Sequence, residues 1–351
     1  MKRKRLVRAG RKDDYEWLKE RLPKVFELGK RLSTVYPDVI VNAHPWTLLK
    51  LLLHSVYVPL YTSIIKPSIT KQRFYPMVYI DLFSGCGLNK ISTPSSGDVL
   101  MPGSPILASF FARSKFDYFV CVEKNAKRAN ALKARLKEVP DGYASEPRII
   151  LGDCNEVIDE ICFMLDVILD KKRRSHYLAF IDPYGFELSW FTLEKLLKRR
   201  GDLWILMQAE QIPRMKGTPK GREKLKEFFG DYRFMNFNKP TEFVVYYCHK
   251  ISRVGSINVR REFVIPCPIK LGIRTRKGRV TRRYYLIFAT RKTKQGSRWI
   301  KAVEKWRERI KNLTPKLVER AIGVIQGRER DLIDFLEPLR PEGQRLLEEF
   351  Q

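Results

Sequence analysis

Acid is in short supply in this chain. Against 68 Lys and Arg stand 39 Asp and Glu in 351 residues, a formal charge of +29. Few small-molecule enzymes need such a surplus, and a polyanion, nucleic acid or an anionic membrane, is the natural counterpart. Cysteine is sparse too: Cys86, Cys121, Cys154, Cys162, Cys248 and Cys267 contain no C-x-x-C pair. Neither a zinc ribbon nor a disulfide framework is indicated, and a reducing, cytoplasmic compartment is expected. The four histidines, His249 beside Cys248 among them, show no ligand spacing, so no metal is expected. An uninterrupted apolar run of membrane length is missing. Trp46 to Ile65 comes nearest, but Lys50, His54 and Pro59 interrupt it, which predicts a buried helix followed by a connector and no membrane span. The basic start, Met1 to Arg5, meets Lys12, Asp13 and Asp14 where an apolar export segment would continue, so no export signal is expected. No internal repeat is visible.

What is present is globular: 44% hydrophobic, 30% charged and 12% aromatic residues, over a length that suits two domains or one with appendages. Residues 1–12 hold seven Lys or Arg and no acid, a basic arm. Residues 13–76 read as an N-terminal helical region. From residue 77 short apolar runs alternate with helical segments. Met77–Phe83, Tyr118–Val122, Arg148–Leu151, Tyr177–Ile181 and Asp202–Met207 read as strands. Ile106–Ala112, Lys127–Val139, Val157–Ile168, Thr192–Arg199 and Gly221–Phe229 read as helices. That alternation predicts an α/β fold with a parallel sheet covered on both faces, its topology doubly wound. Beyond residue 240, Phe243–Tyr247, Phe263–Ile265 and Tyr284–Ala289 read as strands. The basic, turn-rich Gly272–Arg283 between the last two predicts an antiparallel hairpin at one sheet edge. Ser297–Asn312 reads as helical, and 313–351 as a helical tail.

In an open α/β sheet ligands sit beyond the carboxyl ends of the strands. Those ends are polar here: Asp81-Leu82-Phe83-Ser84-Gly85-Cys86-Gly87, Glu123-Lys124-Asn125, Gly152-Asp153-Cys154-Asn155 and Asp182-Pro183-Tyr184-Gly185. The glycines permit a sharp turn and close approach of a ligand. A carboxylate at Glu123 can accept both hydroxyls of a ribose, and the Asp153 segment suits an adenine amino group. Glu123 and Asp153 equally suit the blander role of helix cap or first-turn acid, and Asp-Pro is ordinary turn chemistry. A dinucleotide fingerprint would need a third glycine where Lys90 stands, which disfavours NAD.

The order of these four segments resembles the class I S-adenosylmethionine (SAM) methyltransferases, and more narrowly the three-Cys-motif partner (TcmP) family. Gly103-Ser104-Pro105 opening the next helix and Tyr284-Tyr285-Leu286-Ile287-Phe288 leading to Gly296 belong to the same likeness, which covers roughly residues 45 to 310. The resemblance implies a Rossmann-like class I methyltransferase sheet, mostly parallel with an antiparallel C-terminal hairpin, within a methyltransferase domain at 77–312. It implies SAM as cofactor, with the amino-acid portion on Asp81, Gly85 and Gly87, the ribose on Glu123 and the adenine on Asp153; Phe83, Lys124 and Cys154 join this candidate set. Cys86 stands where the family more often has Pro, and Leu88–Pro102 lengthens the first crossover. The family name also implies a three-Cys-motif protein as partner.

Asp182-Pro183-Tyr184-Gly185 resembles the D-P-P-Y loop of amino-methyltransferases and, more closely, the D-P-F-G loop of tRNA guanine-N2 dimethyltransferases. An exocyclic amine is a poor nucleophile because its lone pair is delocalised into the ring. Asp182 and the Pro183 carbonyl can accept its N–H bonds, while the Tyr184 ring can stack on the base. A ring nitrogen or ribose oxygen is the alternative acceptor. Between Ile251 and Lys301 fifteen Lys or Arg meet one acid, Glu262. A merely solvated charge face would mix the signs, so this basic hairpin region, 251–301, is the expected nucleic-acid surface. Its candidates are Arg274, Arg276, Lys277, Arg279, Arg282 and Arg283. RNA is preferred to DNA through the tRNA-enzyme likeness. A nucleic-acid-binding assembly factor that kept the fold without the chemistry is the rival from another class.

Overall fold

In a computed structural model of the chain, residues 14–70, 76–93, 97–139, 142–170, 176–275, 278–291 and 315–328 are described. The basic arm at 1–12 and the helix expected at Ser297–Asn312 lie outside them. In chain order the elements are α1 (Asp14–Leu32), β1 (Val41–Ala43), α2 (Pro45–Thr70), β2 (Met77–Asp81), β3 (Leu88–Thr93), β4 (Gly97–Pro102), α3 (Ser104–Phe111), β5 (Tyr118–Glu123) and α4 (Ala126–Lys137). There follow β6 (Arg148–Leu151), α5 (Cys154–Asp170), β7 (His176–Ile181), α6 (Trp190–Leu197), β8 (Gly201–Met207), α7 (Ile212–Lys216), α8 (Pro219–Phe229), α9 (Pro240–Arg253), β9 (Phe263–Thr275), β10 (Gly278–Thr290) and α10 (Pro315–Ile325).

The apolar runs form a seven-stranded sheet in the order β6-β5-β2-β7-β8-β10-β9. Only β10 runs against its neighbours; the other pairs are parallel. The chain starts mid-sheet at β2, works outward to β6, then crosses back to β7, so the topological switch point lies between β2 and β7. This is a Rossmann-like α/β fold, mostly parallel, with an antiparallel hairpin toward its C-terminal edge. Strand side chains alternate between two cores. Met77 and Tyr79 enter the one built with α1, α2, α3 and α10, while Val78 and Ile80 enter the one built with α5, α6, α8 and α9. Because both faces are covered, Tyr284 and Tyr285 are both buried, on opposite faces. Alternation along a strand predicts one of the two exposed, an expectation that fails for that reason, and Tyr284 stacks on Trp46 with ring centroids 5.0 Å apart.

Trp46–Ile65 is not a helix plus connector; it lies within one helix, α2, that continues through Pro59. An interior proline removes the donor to the carbonyl four residues back, at a cost of about 3 kcal/mol. That carbonyl, of Ser55, instead accepts from Arg21 Nη2 of α1 at 3.2 Å. By length and composition Trp46–Lys66 would cross a membrane, but 67% of it is buried inside the protein. It is a core helix. Its polar residues face the sheet: Tyr57 Oη donates to Asp202 Oδ2 at 2.9 Å, and Tyr61 Oη meets His176 Nδ1 at 2.7 Å.

Three further expectations change. Phe243–Tyr247 is helical, within α9: Phe243, Val244, Tyr247, Cys248 and Ile251 are its buried residues. Their spacing follows a helix, and aromatic and β-branched composition suggested a strand that the 3.6-residue period overrides. The segment Leu88–Pro102 is no mere lengthening of a crossover. It folds as the β3–β4 hairpin, which pairs with β1 in a separate three-stranded sheet. The C-terminal hairpin is also longer than the short apolar runs implied, with thirteen residues in each of β9 and β10. Ile269, Leu271, Ile273 and Thr275 alternate with Lys270, Gly272 and Arg274, a period of two that the charges disguise as a turn.

Candidate active site at the strand ends

The four polar segments fall at the carboxyl ends of adjacent strands, in the spatial order Asp153, Glu123, Asp81, Asp182 after β6, β5, β2 and β7. With strands about 4.8 Å apart, this row spans about 14 Å, the scale of a nucleoside carrying a short amino-acid chain.

After β2 the chain turns through Gly85 (φ +63°) and Gly87 (φ +80°), both in the left-handed region where a side chain would be strained. A Cβ on Gly85 would meet nothing within 4 Å, whereas one on Gly87 would press on Leu132 and Ile106 at 3.0 and 3.2 Å. One glycine keeps the loop open; the other lets it pack. Gly103 N–H closes the turn onto Gly87 O at 2.8 Å. Asp81 is fully buried beneath the loop: Oδ1 accepts Phe83 N–H and Oδ2 accepts Tyr79 Oη–H, each at 3.1 Å. Burial pushes its carboxyl up to about 7, against the opposing hydrogen bonds of Ser104, Phe83 and Tyr79. Tyr79 Oη also meets His54 Nε2 at 3.2 Å, and burial drives His54 down to about 3. In this structure Asp81 shapes the loop from below, while Phe83 is half-buried at its crest.

Glu123 is 8% exposed, and its Oε1 accepts Asn125 N–H at 2.9 Å. Asn125 in turn caps α4 by accepting Arg128 N–H at 3.0 Å, so the capping role falls to Asn125 and leaves Glu123 Oε2 without a partner among the described residues. Lys124 is exposed. Beside them a cleft of about 230 Å³ is lined by Asp38–Val41, Asn125, Lys127 and Arg128. Asp153 starts α5: its Oδ1 accepts Asn155 N–H at 2.9 Å and its carbonyl accepts Val157 N–H at 3.0 Å, a capping geometry. Cys154 is buried, and burial pushes its thiol up to about 12, so it remains protonated. Asn155 ties this end to the next loop, donating to Glu187 O at 2.8 Å and accepting Ser189 N–H at 2.9 Å.

After β7, Asp182 Oδ2 forms an ion pair with Lys50 Nζ of α2, and Asp182 Oδ1 is buried without a hydrogen-bond partner among the described residues. Pro183 is buried and Tyr184 is 68% exposed. Partial burial raises the Tyr184 hydroxyl above its ordinary value, with Arg128 opposing and the Glu123 and Asp182 carboxylates reinforcing. Gln208 Nε2 supports the loop by donating to Tyr184 O at 2.6 Å.

Sequence reasoning missed four of these residues. Lys50 and His54 were visible only as interruptions in an apolar run; their spacing, one helical turn apart, was the available signal. Gln208 carried none. Arg135 of α4 carried none either, yet it is fully buried and donates to five main-chain carbonyls: Leu32 (3.3 Å), Val35 (2.9 Å), Tyr36 (3.0 Å), Val39 (2.9 Å) and Cys86 (2.8 Å). It fastens the segment after α1 to the glycine loop.

Among the nucleic-acid candidates, Arg274 lies opposite Arg279 in the hairpin register, Arg282 opposite Leu271 and Arg283 opposite Lys270. Arg276 and Lys277 lie outside the described residues. The hairpin is two strands away from β7, whose end carries Asp182.

No protein-family profile matches the chain, and no curated protein matches its sequence. Among solved structures it is similar to a Pyrococcus horikoshii protein provisionally described as an RNA methyltransferase, at 14% identity over 77% of this chain and 98% of that one, with a TM-score of 0.33. It is similar to an O-methyltransferase from Bacillus cereus in complex with SAH, at 11% identity over 77% and 100%, TM-score 0.32. A precorrin 8w decarboxylase from Methanobacterium thermoautotrophicum matches at 12% identity over 61% and 82%, TM-score 0.29. These likenesses are distant, and the functional reading rests on the residues of the site.

Those residues fit a nucleoside-bearing cofactor. The missing Cβ of Gly85 faces open space at the turn, and Glu123 keeps a carboxylate oxygen without a partner among the described residues.

Proposed function

We propose that this chain is a SAM-dependent methyltransferase that modifies a base, through an exocyclic amine, in structured RNA such as tRNA or rRNA. The observation that carries the reading is the row of carboxylates on four adjacent strands at the switch point, beginning at an open glycine turn and ending at a buried Asp182 oxygen with no hydrogen-bond partner among the described residues. SAM held there would supply an electrophilic sulfonium methyl for the acceptor nitrogen. Gly85 and Gly87 give the turn its close approach, Glu123 accepts the ribose hydroxyls, and the Asp153 end of the row receives the adenine. Asp182 and the Pro183 carbonyl accept N–H bonds of the target amine, and exposed Tyr184 offers a face for the base.

The charge of +29 supports a polyanionic substrate. A concavity of about 360 Å³ between α6 and α9 offers Arg233 and Arg253 beside Trp190 and Tyr246, while its Lys198 and Lys250 are paired with Glu194 and Asp231. The likeness to the TcmP family, a three-Cys-motif partner protein and a cytoplasmic setting belong to the same proposal. Incubation with tritiated SAM and bulk RNA or DNA in matched salt tests it. Label in RNA nucleosides, identified by mass spectrometry as an N-methylated base, is the expected result. Label in DNA moves the substrate to the other polymer, and tight SAM binding with no incorporation into either replaces the enzyme with a binding factor.

A further inference from the structure

Helix α2 reaches the acceptor end of the proposed site from the far side of the sheet. It descends across the strands with Lys50 opposite the end of β7, His54 against Tyr79 and Phe180, and Tyr57 at Asp202. Lys50 and Asp182 are nearly enclosed, their side chains 11% and 16% exposed. An ionised carboxylate offers about four acceptor sites on its two oxygens. Here one oxygen is held by a cation and the other, buried, has no donor among the described residues. Buried acceptors are rarely left so unless a donor from outside the chain completes them.

We propose that Lys50 is a positioning residue for Asp182: by holding Oδ2 it fixes the carboxylate plane and reserves Oδ1 for an N–H of the group to be methylated. This rests on the methyltransferase reading above and narrows it. A site that presents an acceptor oxygen selects a target nitrogen that still carries hydrogen, such as an exocyclic amine, over a ring nitrogen that carries none, such as adenine N1. It also makes α2 part of the acceptor site and not only of the core.

The test compares Lys50→Met, Lys50→Arg, Asp182→Asn and the double variant in the full chain. Initial rates of tritium transfer are read at saturating and limiting RNA prepared from cells lacking the protein, SAM binding by calorimetry, and folding by thermal midpoint. Lys50→Met should lower the saturating rate about 30-fold or more while SAM and RNA affinities stay within about twofold, and Lys50→Arg should recover most of the rate. Lys50→Met leaves a buried charge alone and loses stability, which the double variant restores without restoring rate; its rate should match that of Asp182→Asn, because the two residues act as a unit. A Lys50→Met rate within about twofold of the parent, or losses that multiply in the double variant, would overturn the role of Lys50. Absence of SAM binding by the parent protein overturns the cofactor reading instead, a failure visible before any variant is made.

Discussion

Replacing Arg135 by Met would test how the glycine turn is held. Methionine keeps much of the side-chain stem but none of the five donors. Two of the lost bonds, to Leu32 O and Cys86 O, join fully buried groups; the other three acceptors lie partly exposed and can turn to water. Hydrogen bonds from a charged donor contribute about 1.5–3 kcal/mol each, so the two buried ones alone set a loss of about 3–6 kcal/mol. That is a large share of the roughly 5–15 kcal/mol that stabilises a domain. Urea unfolding with an unchanged slope should report it as a lower midpoint. Arg135→Lys should fall between, since one ammonium has three donors and no fork to span carbonyls on two segments. Because Cys86 lies between the two left-handed glycines, SAM affinity should also weaken about tenfold, equivalent to about 1.4 kcal/mol. An Arg135→Met protein within about 1 kcal/mol of the parent, with SAM affinity unchanged, would refute the claim that this residue anchors the loop.

Glu123→Gln should weaken SAM binding about 10- to 100-fold by titration calorimetry, since it removes charge-assisted acceptance of the ribose hydroxyls; unchanged affinity would place the ribose elsewhere. Asp202 is buried and pushed up from 3.8 to about 7 by burial. The folded state therefore keeps a proton that the unfolded chain releases, a contribution to stability that is complete below about pH 4 and lost as pH rises through about 7. Asp202→Asn removes that dependence, so its stability relative to the parent should improve from pH 4 to pH 7. His54, driven down to about 3 by burial, acts with the opposite sign but cancels in the comparison; a flat difference across the range would contradict the assignment. Replacing Arg274, Arg276 and Arg279 together by Ala should weaken RNA binding and flatten the salt dependence by about 2–3 in log–log slope. An unchanged slope would move the polyanion surface away from the hairpin.

The sheet was legible because its central strands are buried on both faces, and continuous apolar runs such as Met77–Asp81 and Asp202–Met207 announce that directly. The polar strand ends were legible for a related reason: acids and glycines directly after such runs mark where the chain turns, caps the next helix or meets a ligand. Where periodicity and composition disagreed, composition misled. The β-branched and aromatic stretch at Phe243–Tyr247 belongs to an amphipathic helix, and the alternating basic residues of β9 and β10 hide two long strands. Contacts between remote segments left no local trace. Nothing near Arg135 foretells carbonyls about a hundred residues away, and Lys50 becomes meaningful only when α2 is laid across the end of β7. Pro59 looked like a break because its compensation comes from Arg21, on another helix.

The central claim is that the crevice bounded by Gly85, Glu123 and Asp153 holds SAM with its methyl directed to Asp182. Calorimetric titration of the folded full-length chain with SAM and with its demethylated product should give saturable, one-to-one binding of both. Protein shown to be folded by circular dichroism that gives neither heat nor saturation with either compound would contradict the account.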